Sequence, residues 1–324
     1  MMLEREGQVL TDEPAAGQPA PPERCIFIVG VSRSGTTLMR RTLNASADIA
    51  IASENHFLGH VIASEGVRHR LRKFGDLSDD DNVRRLVDYL YSDAFRRSSK
   101  YRDVSTLWRW LVRRVDKATF LARLLATDRS ERALFATTLQ LYAEHKGKRV
   151  MGEKTPAHVR YVPTLMEWFP GGYVIHMLRD PRAIFVSELR RRSEQPLSTP
   201  YRQLRRFRLG FKLFILLQVT LLWYESIVRY RSYRQRYLGR YRLVRFEDLV
   251  RDPEHYIRQI CELVGAPFDE AMLNQQVVSK GFSQGQAGFD ARAADRWREH
   301  IDPWADRWFM FWFRAPLREF GYLA

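Results

Sequence analysis

The sequence predicts an α/β fold in three layers, a parallel sheet flanked by helices, and three observations carry that prediction. Residues 25–29, Cys-Ile-Phe-Ile-Val, form a short continuous run rich in β-branched side chains, the pattern of a strand buried on both faces. Further strands are expected at 149–151, 173–177 and 241–246, each beside a helical stretch, and strands that alternate with helices pair in parallel. Between 83 and 145 apolar residues recur three and four positions apart, as in Leu86, Tyr89 and Leu90 or Leu121, Leu124 and Leu125. This middle reads as helical, a cap or a layer beside the site.

At 324 residues, 45% of them apolar, the chain can bury a substantial core. No linker rich in Pro, Gly and Ser divides it after its acidic, Pro/Ala/Gly-rich start, so a mobile tail at 1–23 and a single domain at 24–324 are expected. The tail lacks the basic start and apolar stretch of a signal peptide. Cys25 and Cys261 are too few and too distant for a disulfide framework or a zinc site. They fit a reducing, cytoplasmic setting.

Lysine and arginine outnumber aspartate and glutamate by 53 to 38, for a net charge of +15, which favours anionic ligands or surfaces. The arginines are spread along the chain without a nucleic-acid motif, so nucleic acid is not the expected partner. Residues 209–224 are nearly all apolar, with Arg205, Arg206 and Arg208 before them and Arg229 and Arg231 after. A spanning helix needs about 20 such residues, and Lys212 and Gln218 interrupt this one. It reads as a buried core helix with basic ends, with peripheral contact to anionic lipid as the other reading.

The first strand runs straight into Gly30-Val-Ser-Arg-Ser-Gly-Thr-Thr37, and residues 36–43 then suit a helix with Leu38, Met39 and Leu43 inward. The glycine spacing resembles a P-loop, which makes the expected sheet P-loop NTPase-like, yet Thr36 stands where the lysine should follow the second glycine. Backbone N–H groups at a helix start still make an anion cradle, and the hydroxyls of Ser34, Thr36 and Thr37 add donors. The positive charge falls to Arg33, inside the loop, with its planar fork. A glycine-rich turn also occurs with no ligand, so the whole string carries the reading, not Gly30 and Gly35 alone.

That string resembles the 5′-phosphosulfate loop of sulfotransferases, in the Arg-Ser-Gly-Thr-Thr form of the tyrosylprotein and related bacterial-type enzymes. The resemblance runs from Phe27 to Tyr322, without a sure alignment at 66–148 and 192–236. It implies 3′-phosphoadenosine 5′-phosphosulfate as co-substrate. Glu54 lies 21 positions beyond Arg33, where the tyrosylprotein enzymes carry their catalytic base. Other members use histidine there, and His56 and His60 are near, so the base stays open between Glu54 and a histidine.

Residues 152–156, Gly-Glu-Lys-Thr-Pro, resemble the family's turn after a strand, which implies that Lys154 faces the reacting centre and steadies charge on the leaving oxygen. Arg179 and Ser187, eight positions apart, match the family's 3′-phosphate site in type and separation. Asp180 before Pro181 also suits a plain helix cap. Residues 244–249 resemble the segment that packs under the cofactor, a structural role. Trp297 and Phe320 to Tyr322 resemble the closing segment, but no lysine follows Lys280, so Arg292 or Arg296 is expected to replace the family's covering lysine or arginine.

The resemblance implies direct in-line sulfuryl transfer, with Glu54 taking the acceptor proton while Arg33 and Lys154 stabilise charge. A kinase would need the P-loop lysine and a residue for Mg²⁺; a sulfuryl group carries less charge, so no metal is required. A P-loop kinase and an inactive nucleotide- or anion-binding module of the same fold are the alternatives. The acceptor, a hydroxyl or amine on a glycan, lipid, peptide or small molecule, is not identified by the sequence, nor is the oligomeric state.

Overall fold

Strands β1 (Cys25–Gly30), β2 (Ile49–Ala52), β3 (Val150–Lys154), β4 (Tyr173–Leu178) and β5 (Tyr241–Arg245) pair in the order β2-β3-β1-β4-β5, every pair parallel. This computed structural model describes residues 24–59, 67–93, 95, 106–194, 206–274 and 287–323; the expected tail, His60 and Lys280 lie outside them. The longer helices among the described residues are α1 (Thr36–Ala45), α2 (Val67–Leu71), α3 (Asp80–Tyr91), α4 (Thr106–Arg114), α5 (Lys117–Leu125) and α6 (Glu131–His145). After β3 come α7 (Val162–Trp168), α8 (Pro181–Glu194), α9 (Arg208–Arg236), α10 (Phe246–Arg251), α11 (Pro253–Val264) and α12 (Pro303–Glu319).

Successive side chains of a strand point to opposite faces, and here both faces are apolar. Cys25, Phe27 and Val29 join Ala50, Ala52 and Val174 under α3 to α7. Ile26 and Ile28 join Ile49, Ile51, Ile175 and Met177 against α1, α10 and α11. The result is the expected three layers, and the helical middle is one of them: Phe135 of α6 packs on Phe169, which packs on Phe27. A separate apolar cluster binds α8, α9 and α12 through Phe185, Trp223, Phe309 and Phe313.

Two elements differ from expectation. The segment 152–156 is not a turn from its first residue: Glu153 and Lys154 are the last residues of β3, paired with Phe27 and Ile28. Gly152 serves close strand approach, since a Cβ there would lie 2.4 Å from the Ile26 carbonyl oxygen. Helix α9 is a core helix on one side only. Phe211, Ile215, Leu216, Val219, Trp223 and Ile227 are buried, while Leu213, Leu217, Leu221, Tyr224 and Val228 face outward.

Candidate active site

Because the sheet is parallel, the residues singled out in the sequence emerge along one edge, at the carboxyl ends of the strands, where ligands of such sheets bind. Glu54 follows β2, Lys154 ends β3, the loop 31–35 follows β1, and Arg179 follows β4. Neighbouring strands are about 4.8 Å apart, so the chain enters Glu54 and Arg179 three spacings apart, roughly 14 Å, with the loop between them.

The loop is built on positive φ angles at Gly30 (139°), Arg33 (74°) and Gly35 (88°). A Cβ on Gly30 would lie 2.3 Å from the Met177 carbonyl oxygen, and one on Gly35 would lie 2.5 Å from the Phe246 ring. Both positions therefore require glycine. The buried Ser34 hydroxyl donates to the Val31 carbonyl at 2.6 Å, so it braces the turn and is committed to the protein. Helix α1 begins at Thr36 with no side-chain cap, leaving its first N–H groups for an anion.

Arg33 Nε donates to Ser187 Oγ at 3.0 Å, and Arg179 Nη1 donates to the Arg33 carbonyl at 3.2 Å. Loop and later phosphate motif thus touch. Arg179 also donates from Nη2 to the Ala293 carbonyl at 3.0 Å, and its guanidinium lies 4.1 Å over the Phe246 ring. Its Nε is buried with no hydrogen-bond partner. Burial pushes the Arg179 pKa down to about 10, which leaves it charged at neutral pH. Asp180 does cap α8, accepting from the Arg182 N–H at 2.8 Å.

On the other side of the loop, Lys154 Nζ pairs with Glu54 Oε1, and the His56 Nε2–H donates to Glu54 Oε2 at 3.2 Å. Lys154 is buried, where a turn lysine would be solvated. Burial by itself would raise the Glu54 carboxyl, but the His56 hydrogen bond and the Lys154 charge outweigh it and hold the carboxyl down to about 2. Glu54 is ionised throughout the physiological range.

The sequence matches the profile described as Sulfotransferase family over residues 25–270. The chain belongs to the sulfotransferase family. Protein-tyrosine sulfotransferase of Drosophila melanogaster is 23% identical over 253 residues, which cover 78% of this chain and 40% of that protein. The chain thus spans well under half of that relative's length. Among solved structures, the sulfotransferase domain of the Synechococcus PCC 7002 olefin synthase is 21% identical with a TM-score of 0.52, covering 89% of this chain and 92% of that one. That likeness bears on the fold.

Several side chains of this sulfotransferase site escaped the sequence reading. Arg40 stands one helical turn beyond Thr36 and Thr37; burial lowers its pKa, against the pull of nearby Tyr142 and of the Glu54 carboxylate. Its buried Nε has no hydrogen-bond partner. The signal was the α-helical spacing on α1. Beneath Glu54, the fully buried Glu153 accepts from Asn55 Nδ2 at 3.3 Å, from Thr155 Oγ1, and from His158 Nδ1 at 2.7 Å. His158 Nε2 accepts from the Leu58 N–H at 3.4 Å, which fixes the proton on Nδ1. An acid inside a continuous buried strand was the available clue.

Of the two covering candidates, Arg296 donates to Asp290 Oδ2 at 2.6 Å, whereas exposed Arg292 adjoins Ala293, whose carbonyl holds Arg179. Within the segment 244–249, Glu247 Oε1 accepts the Asp180 N–H at 3.0 Å, and burial raises its carboxyl to about 7 against the charge of Arg179. Residues 246 and 247 therefore lie against the loop and the Arg179–Asp180 turn.

Proposed function

We propose that this chain transfers the sulfuryl group of 3′-phosphoadenosine 5′-phosphosulfate to an acceptor hydroxyl by direct in-line displacement. One observation carries the reading: Arg33 joins Ser187 and Arg179 on one side of the loop, while Glu54 and Lys154 pair on the other. Donors for both anionic ends of one nucleotide then share an edge of the sheet with a candidate base. The 5′ end takes the loop from Gly30 to Gly35, which Ser34 braces from within, and the open start of α1 at Thr36 and Thr37, and the 3′-phosphate takes Arg179 and Ser187.

In the transfer, the acceptor oxygen bonds to sulfur as the bond from sulfur to the bridging oxygen breaks. The acceptor proton passes to Glu54, and the bridging oxygen leaves on adenosine 3′,5′-bisphosphate with added negative charge. Arg33 and Lys154 offset that charge. A carboxylate held at about 2 is a weak base. Once Lys154 turns from Glu54 to the bridging oxygen, one of the forces depressing Glu54 is gone, so donor binding primes the base. His56 donates to Glu54, which supports Glu54 as base with His56 behind it. Arg40 near Glu54 favours an acceptor with negative charge beside its hydroxyl.

Incubation with labelled sulfuryl donor and a panel of hydroxyl acceptors, acidic peptides and glycans included, should label an acceptor. Arg33→Ala should lower turnover about 100-fold. Near-normal turnover in that variant removes Arg33 from the mechanism, and phosphate transfer from ATP with Mg²⁺ in place of sulfuryl transfer overturns the reading.

A further inference from the structure

Helix α9 is apolar on both sides, and the fold covers one of them. Leu213, Leu217, Leu221, Tyr224 and Val228 recur at four, four, three and four positions, which keeps them on a single exposed face for about 22 Å. Leu221 is 68% exposed. Helix α12 widens this surface. Trp308 Nε1 donates to Thr220 Oγ1 at 3.0 Å, Trp312 packs on Trp308 with centroids 5.8 Å apart, and exposed Phe311 and Trp312 follow.

Charge frames the patch. Exposed Arg206 and Arg208 stand at its start, Arg234 and Arg236 at its end beside Arg231, which pairs with Glu319 of α12, and Arg314 and Arg318 on α12. The one acid within α9, Glu225, turns aside to Arg160 in a paired contact at 2.6–2.9 Å. Aromatic and aliphatic side chains ringed by arginine suit the boundary between anionic headgroups and acyl chains.

We propose that this face of α9 and α12 lies flat on an anionic membrane surface. Among the described residues α9 is the one helix long and apolar enough to cross a membrane. Crossing would strip Trp223, Ile215 and Ile227 from the cluster they form with α8 and α12, so the helix lies on the bilayer and does not span it. A second copy fits less well. With arginines at both ends of the stripe, two copies packed face to face bring like charges together in either direction.

The test is co-sedimentation of the full chain with vesicles of phosphatidylcholine alone and of phosphatidylcholine mixed with phosphatidylglycerol. Binding to the mixed vesicles should be at least about tenfold tighter and should weaken with salt. Leu217→Glu with Leu221→Glu should lose at least about tenfold of that binding at an unchanged melting temperature, since both side chains are already exposed. Arg314→Glu with Arg318→Glu should weaken only the mixed-vesicle binding. Absence of wild-type binding, or equal binding by the leucine variant, overturns the proposal. A wild-type dimer that the leucine variant dissociates, with no vesicle binding, assigns the face to a second copy instead.

Discussion

Arg33 Nε lies 3.0 Å from Ser187 Oγ, so the loop after β1 and the helix after β4 meet directly. The contact depends on strand order: β4 is hydrogen-bonded to β1 from Ile26 to Gly30, which sets the start of α8 beside the loop. Arg179 closes the same junction through the Arg33 carbonyl. A ligand that spreads negative charge over this junction meets two guanidinium groups, a hydroxyl and the open N–H groups of α1 together.

Glu54→Gln keeps the shape and the hydrogen-bonding reach of the side chain but cannot accept the acceptor proton. Turnover should fall by about 10²- to 10⁴-fold, while adenosine 3′,5′-bisphosphate, gripped by the loop, Arg179 and Ser187, still binds at least as tightly as in the wild type. Steady-state kinetics beside calorimetry checks both halves. Equal loss of binding and turnover would make Glu54 a structural residue.

Glu247 provides a pH signature. Its carboxyl is raised from an ordinary 4.5 to about 7, so the folded protein holds this proton more tightly than the unfolded chain does. The stability contribution is greatest below pH 4.5, declines as pH rises from 4.5 to 7, and stays low above that. Glu247→Gln retains an acceptor for the Asp180 N–H and should be more stable than the wild type at pH 8, by up to about 3 kcal/mol. The gain should vanish below pH 4.5. Denaturant melts at several pH values measure it, and a gain independent of pH contradicts this account.

Glu153 ties the Glu54 segment to β3. Glu153→Ala leaves Asn55, Thr155 and His158 without their shared buried acceptor and should cost about 3 kcal/mol or more. Urea unfolding with an unchanged slope and a lower midpoint is the expected result; an unaltered midpoint would show the network to be dispensable.

Much of this was legible in the sequence, and the gaps have physical causes. The runs at 25–29, 173–177 and 241–246 match β1, β4 and β5 to within a residue, because short runs of aliphatic and aromatic residues between helical stretches have few other stable homes. Strand β2 was missed: Ile-Ala-Ile-Ala is short, and alanine adds little strand signal. The Glu54 and Lys154 pair joins residues 100 positions apart through the register of β2 on β3, which no local pattern encodes. The open face of α9 was hidden for another reason. A helix buried all round and one covered on a single side both read as apolar.

The central claim is that one nucleotide is gripped at both anionic ends, and calorimetric titration with adenosine 3′,5′-bisphosphate against adenosine 5′-monophosphate tests it most directly. The wild type should prefer the bisphosphate by about 10- to 100-fold, the worth of charge-assisted hydrogen bonds from Arg179 and Ser187. Arg179→Ala with Ser187→Ala should bring the two affinities together. Equal affinities in the wild type, or a preference that survives the double substitution, would contradict it.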